Sequence, residues 1–163
     1  MKPVLILGYG NLSRGDDAVA PLCLTQLQAT ESDCLQCAEF LTDFQLQIEH
    51  IFDLQQRELV LFIDASMEHV APLKFTQLLP QTDYSYTTHA MTPTALMAVY
   101  QQTLRDNLPD CFLLTLKAIT FELGEPLTEV AQQSLQQALG FILQLLDNPK
   151  LEQWQSYCSN QLS

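Results

Sequence analysis

Three residues whose types could do joint chemistry stand far apart in the chain: Asp17, Asp64 and His89. Two carboxylates and one imidazole can hold a borderline divalent metal through mixed oxygen and nitrogen ligands. The set is too rich in oxygen and too poor in thiolate for copper(I) or an iron–sulfur cluster. With three protein ligands, the remaining coordination positions stay open to water or to another molecule. Each residue also has a plainer reading. Asp17 could cap a helix, a role for which Asp16 competes. Asp64 could hydrogen-bond neighbouring loop amides, and His89 could be a surface histidine, with His50 and His69 as its competitors.

The elements that must carry these residues argue for one site. Pro3–Leu7 is a continuous apolar run, expected as a strand buried on both faces. The loop Gly8-Tyr9-Gly10-Asn11 follows, and Asp16-Asp17 opens an amphipathic helix to about Gln28, where the helix dipole favours acidic residues. Leu35–Leu41 reads as a second strand. Phe44–Phe52 reads as a short helix with Phe44, Ile48, Ile51 and Phe52 apolar. Leu59–Ile63 is another buried strand and ends in Asp64. Leu73–Leu79 suits an edge strand, and Tyr84–His89 a strand end or loop. Thr92-Pro93 starts a helix, with Thr92 as N-cap and Pro93 at the first helical position. Cys111–Leu116 is a strand expected to run on to Phe121. Thr128 to about Leu146 is a long helix with an apolar stripe of Val130, Leu135, Leu139, Ile142 and Leu146.

Strands alternating with helices predict an α/β fold: a three-layer α/β/α sandwich around a mostly parallel sheet of about five strands. Residues 1–147 form the single domain, and 148–163 a polar C-terminal tail with a lone Trp154, packed back or frayed. Ligands of such folds bind outside the carboxyl ends of the strands. Asp17 follows the first strand, Asp64 ends the third and His89 follows the fourth, so all three are expected on that edge.

Composition sets the bounds. The chain has 163 residues, 47% hydrophobic and 16% charged, which suits one globular domain. No apolar run is long enough to cross a bilayer and the N-terminus lacks a signal-peptide pattern, so a cytoplasmic protein with no membrane partner is expected. The net charge of −12 repels phosphate backbones and argues against nucleic acid. Five scattered cysteines form no secreted disulfide framework. Cys34-x-x-Cys37 lacks a second pair at zinc spacing and leads into a strand, which favours structural thiols over a redox or zinc motif. Gly8-x-Gly10 begins a dinucleotide fingerprint, but Ser13 stands at the third glycine position and Asp16-Asp17 would repel a pyrophosphate. The glycines instead permit a tight turn that Asn11 can tie with side-chain hydrogen bonds.

Gly8-Tyr9-Gly10-Asn11-Leu12-Ser13-Arg14-Gly15-Asp16-Asp17 resembles the opening motif of the nickel–iron hydrogenase maturation endopeptidases: G-x-G-N, four residues, then Asp followed by an acidic residue. Phe62-Ile63-Asp64-Ala65 resembles the family's apolar strand ending in Asp-Ala. Thr88-His89 with Thr92-Pro93 and Leu96 resembles its histidine just before a helix. The segments fall in order across about residues 3 to 146. The resemblance implies the same sandwich, and an enzyme that removes a C-terminal extension from a hydrogenase large-subunit precursor after nickel insertion. It assigns metal contact to Asp17, Asp64 and His89. It also implies no permanently bound cofactor, the nickel being carried by the substrate, whose thiolates would fill the open positions.

The chain departs from the family where Ala18, Val19 and Ala20 follow the acidic pair in place of glycines. Glu39-Phe40-Leu41-Thr42-Asp43 likewise lacks the family's Asp-Gly-Gly-Thr, in a loop expected to help choose the partner. No serine or cysteine with a poised base stands out, so the expected chemistry is metal-directed. The metal aligns the scissile segment, Asp17 or Asp64 can act as base, and Asp16 is a candidate for proton transfer if it points inward. The expected partner is a nickel-loaded hydrogenase precursor, met by a monomer. The rival readings are a non-catalytic metal- or nucleotide-binding module and a peptidyl-tRNA hydrolase-like enzyme. The second needs a basic face, which 7 Lys and Arg against 19 Asp and Glu do not supply.

Overall fold

The computed structural model describes residues 1–68, 70–82 and 91–158. Its centre is a five-stranded sheet in the order β2-β1-β3-β5-β4. The strands are β1 (Val4–Tyr9), β2 (Ala38–Asp43), β3 (Leu59–Ser66), β4 (Leu73–Gln77) and β5 (Asp110–Lys117). β1, β2, β3 and β5 run parallel, and β4 alone is antiparallel, at the edge beside β5. The apolar runs form the strands because both faces of the sheet are covered, so neither set of alternating side chains meets water.

Two cores result, one on each face. Ile6, Leu61, Ile63 and Leu114 pack with α1 (Val19–Gln28) and α4 (Glu129–Asp147). Leu5, Leu7, Tyr9, Val60 and Phe62 pack with α2 (Ile51–Leu54) and α3 (Pro93–Thr103). This is the expected mostly parallel three-layer sandwich. The helix starts follow local chemistry: Thr92 accepts from the Ala95 amide with Pro93 at the first turn, and Thr128 accepts from Ala131, both at 3.2 Å. No helix among the described residues is long and apolar enough to cross a membrane.

Several boundaries differ from expectation. β2 starts at Ala38 because Asp33–Cys37 close into a 3-10 turn. The Phe44–Phe52 stretch narrows to a 3-10 turn at Ile48–His50 and the short α2. Leu46 and Ile51 are its buried apolar residues, followed by Leu54, whereas Phe44, Ile48 and Phe52 are exposed. Short apolar runs carry too few residues to fix which face turns inward. β5 stops at Lys117, and the loop that follows is captured by Asp16 instead of extending the strand. Residues 151–156 form α5 (Leu151–Ser156), whose Trp154 is fully buried against Phe112 and Phe75 and donates to the Leu145 carbonyl at 2.9 Å. The stretch after Asp147 therefore packs back on the domain as far as it is described.

Candidate functional site

The carboxyl ends of the four parallel strands define one edge, and β1 and β3 meet at its centre. Gly8 pairs with Ile63, so the next residues, Tyr9 and Asp64, stand side by side and project to the same face. Tyr9 is buried and its hydroxyl donates a hydrogen bond to the Asp64 carboxyl. The Ala65 amide donates to Asp64 Oδ1 at 2.8 Å. Asp64 is only half-buried, so its carboxyl still reaches the edge.

Asp17 arrives from the other side. Beyond β1 the chain turns through Gly10, where an added Cβ would collide with the Asp17 carbonyl oxygen, so only glycine fits. Asn11 organises the turn: its side-chain oxygen accepts from the Ser13 amide at 2.8 Å and its carbonyl from Arg14 at 3.1 Å. The Asn11 amide in turn donates to Asp17 Oδ2 at 2.7 Å. Asp17 lies in a 3-10 turn, Gly15–Ala18, that packs against β3 and brings its charge beside Asp64 and Tyr9.

The electrostatics follow. Burial pushes the Asp64 carboxyl up to about 7. The Asp17 charge adds to the rise, while the Ala65 amide and Tyr9 hydroxyl oppose it by donating to the ionised form. Burial, and then the Asp64 and Asp17 charges, hold the Tyr9 phenol well above its ordinary value, so it stays a proton donor. Among the described residues no lysine, arginine or histidine pairs with Asp17 or Asp64; the ion pairs there are His50–Asp43 and Arg57–Glu39. An acidic pair left without a cation has the chemistry of a cation-seeking site.

Asp16, adjacent to Asp17, does a different job. It is fully buried and its carboxylate accepts from the Ile119, Thr120 and Thr128 amides and the Thr128 hydroxyl, at 2.8 to 3.4 Å. Its own amide donates to the Thr120 carbonyl at 2.8 Å. It buckles the loop after β1 to the loop after β5, and its oxygens point into that buckle, away from proton-transfer duty.

The structure thus brings Asp17 and Asp64 together and gives Asp16 a structural place. His89 and His69 lie outside the described residues, as does the expected strand end or loop at Tyr84–His89. β4 is antiparallel, so its carboxyl end points to the opposite edge, and the strand-end rule that gathers Asp17 and Asp64 does not extend to a residue following the fourth strand. His50 is buried and bound elsewhere: Nδ1 accepts from the Gln47 amide at 2.8 Å and Nε2 faces Asp43 at 3.2 Å. Among the described residues, no three His, Cys, Asp or Glu side chains form a metal-sized cluster. Sequence reasoning passed over Tyr9, because its role depends on which residue of β3 stands beside it. The glycines on either side were the available signal.

No family model matches the chain, and no curated protein matches it. Solved structures do. The NiFe hydrogenase maturation protease HycI from Thermococcus kodakarensis superposes with a TM-score of 0.68 at 19% identity, over 90% of this chain and 94% of that one. The hydrogenase maturating endopeptidase HybD from Escherichia coli gives 0.69 at 20% identity, over 91% and 94%. An endopeptidase from Escherichia coli gives 0.70 at 18% identity, again over 91% and 94%. Likeness at this identity establishes architecture: the chain has, over nine-tenths of its length, the fold of the hydrogenase maturation endopeptidases.

Proposed function

We propose that this chain is an endopeptidase that removes the C-terminal extension of a nickel–iron hydrogenase large-subunit precursor after nickel insertion. The observation that carries the reading is the meeting of Asp17 and Asp64 at the carboxyl edge of a sandwich shared with proteins named as hydrogenase maturation proteases. Nickel is part of the substrate here, met by Asp17, Asp64 and His89, and the enzyme holds no cofactor of its own. It acts as a monomer in the cytoplasm.

The chain's own residues support this division of labour. Asp17 spends one acceptor position on the Asn11 amide, and a carboxylate has several, so capacity remains for a cation. Asp64, pushed up to about 7, sits between its two protonation states at neutral pH and can take or give a proton. A cation arriving beside it displaces that proton, so binding of a metal-loaded precursor competes with protonation. Covalent catalysis finds little support. Burial pushes the Cys23 thiol up to about 12 and the buried Cys111 thiol higher still, which leaves neither as a thiolate. Ser134 is buried and donates to the Val130 and Lys117 carbonyls.

The test is the intact mass of a nickel-loaded large-subunit precursor before and after mixing with the protein. Nickel-free precursor and the Asp17→Asn and His89→Ala variants run alongside. Loss of a C-terminal peptide with nickel and wild-type protein alone is the expected result. An unchanged mass across several candidate precursors, with the protein shown to be folded, overturns the reading in favour of a non-catalytic metal-binding module.

A further inference from the structure

Ten large hydrophobic side chains are exposed among the described residues, and their placement is uneven. Leu12, Phe44, Met67, Val70, Ile119 and Leu123, six of the ten, lie in the loops that follow the carboxyl ends of β1, β2, β3 and β5. They ring the edge where Asp17 and Asp64 meet. Single exposed apolar residues need no explanation, but six gathered on the loops of one edge around a charged centre mark an interaction surface.

Among the described residues of that edge lies an open concavity. Gly10, Leu12, Pro21, Thr42, Asp43 and Phe44 line a pocket of about 260 Å³. Sites for small organic ligands span roughly 300–1,000 Å³, so this one suits a single large side chain better than a free metabolite. It lies beside the Asp17 turn, because Gly10 forms part of its wall and also packs on the Asp17 backbone. The opposite wall is held firmly. Asp43 accepts from the Phe44 amide at 2.7 Å, faces His50 at 3.2 Å, and its carbonyl accepts from Gly10 at 3.0 Å. Phe44 itself is 69% exposed and Leu12 59%, so two large apolar groups stand at the rim with their backbones fixed.

We infer that this pocket is a side-chain subsite. It takes one large apolar side chain of the polypeptide whose cation-bearing segment lies against Asp17 and Asp64, and Leu12 and Phe44 set that preference. Charge complementarity selects the occupant. A chain of net charge −12 whose acidic pair has no cationic side chain beside it among the described residues repels a second copy of itself and attracts a partner that is positive at the same point. The inference rests on the peptidase reading for the identity of that partner, the metal-loaded precursor.

Leu12→Ser and Phe44→Ser, singly and together, are compared with wild type and with Phe52→Ser, whose side chain is exposed on α2 outside the pocket. Precursor cleavage gives kcat and KM, calorimetric titration of the precursor gives its dissociation constant, and sedimentation gives the oligomeric state. The double variant is expected to raise KM and weaken precursor binding about tenfold, with kcat within about twofold of wild type and Phe52→Ser unchanged. Wild-type cleavage with an unaltered KM in the double variant overturns the subsite and leaves the peptidase standing. Precursor binding that the variants weaken, without cleavage by any form, overturns the peptidase and keeps the subsite. Neither binding nor cleavage by wild type overturns both. A wild-type dimer that the variants dissociate assigns the pocket to a second copy instead.

Discussion

At the amino edge of the sheet Arg57 is 7% exposed, and each of its three guanidinium nitrogens donates to an acceptor. Nε reaches the Asp53 carbonyl at 3.0 Å, Nη1 the Lys2 carbonyl and Nη2 the Glu39 carboxylate, both at 2.8 Å. At the carboxyl edge Asp17 and Asp64 lie together with a tyrosine hydroxyl and two amides, and no described cation beside them. One edge neutralises its buried charge; the other leaves like charges adjacent and lets burial push Asp64 up. A fold gains nothing from the second arrangement, which is why it reads as a site and the first as a staple.

The comparison can be broken most sharply at the carboxyl edge. Asp17→Asn and Asp64→Asn should each cut precursor processing by about 100-fold or more while circular dichroism shows the fold retained. A variant that processes normally would return its residue to the structural class. Asp16→Ala should do the reverse of Asp17→Asn within one turn of chain. It strands the Ile119 and Thr128 amides and the Thr128 hydroxyl around a buried position, so chemical denaturation should report a loss of about 3 kcal/mol or more. An Asp16→Ala protein as stable as wild type would remove the buckle.

Arg57→Met tests the amino edge. It leaves the Lys2 and Asp53 carbonyls without their donor and should cost about 1–3 kcal/mol in denaturation, with processing unchanged. Altered kcat in that variant would mean the two edges are coupled. A last effect is in pH. The folded state holds the Asp64 proton more tightly than the unfolded chain, whose ordinary value is 3.8, so Asp64 stabilises the fold at low pH. That contribution is lost as pH rises from about 4 to about 7, and the dependence flattens above. The melting temperature of wild type minus that of Asp64→Asn should fall across this window. Parallel curves would show that Asp64 titrates at its ordinary value.

Much of this was legible along the chain. β1, β3 and most of β5 announce themselves because a strand covered on both faces must be apolar throughout. Thr92-Pro93 and Thr128 mark helix starts by chemistry confined to one turn. The placement of Asp64 near the end of β3, two residues short of Ser66, and of Asp17 after a glycine turn follows from those elements, as does their common edge. The division between Asp16 and Asp17 was not legible, since both suit the first turn of a helix and only the approach of residues 119–128 engages one of them.

Local chemistry, then, was enough for the architecture: hydrophobic period, caps and turn residues act over a few positions, and a mostly parallel sandwich is what their order implies. Tertiary structure alone decided which carboxylate is spent on the scaffold, that Tyr9 stands beside Asp64, that β4 runs backwards and that Phe44 faces solvent while Trp154 is buried. Each of these depends on a pairing or a packing contact between segments distant in sequence, and no window of neighbouring residues contains that information.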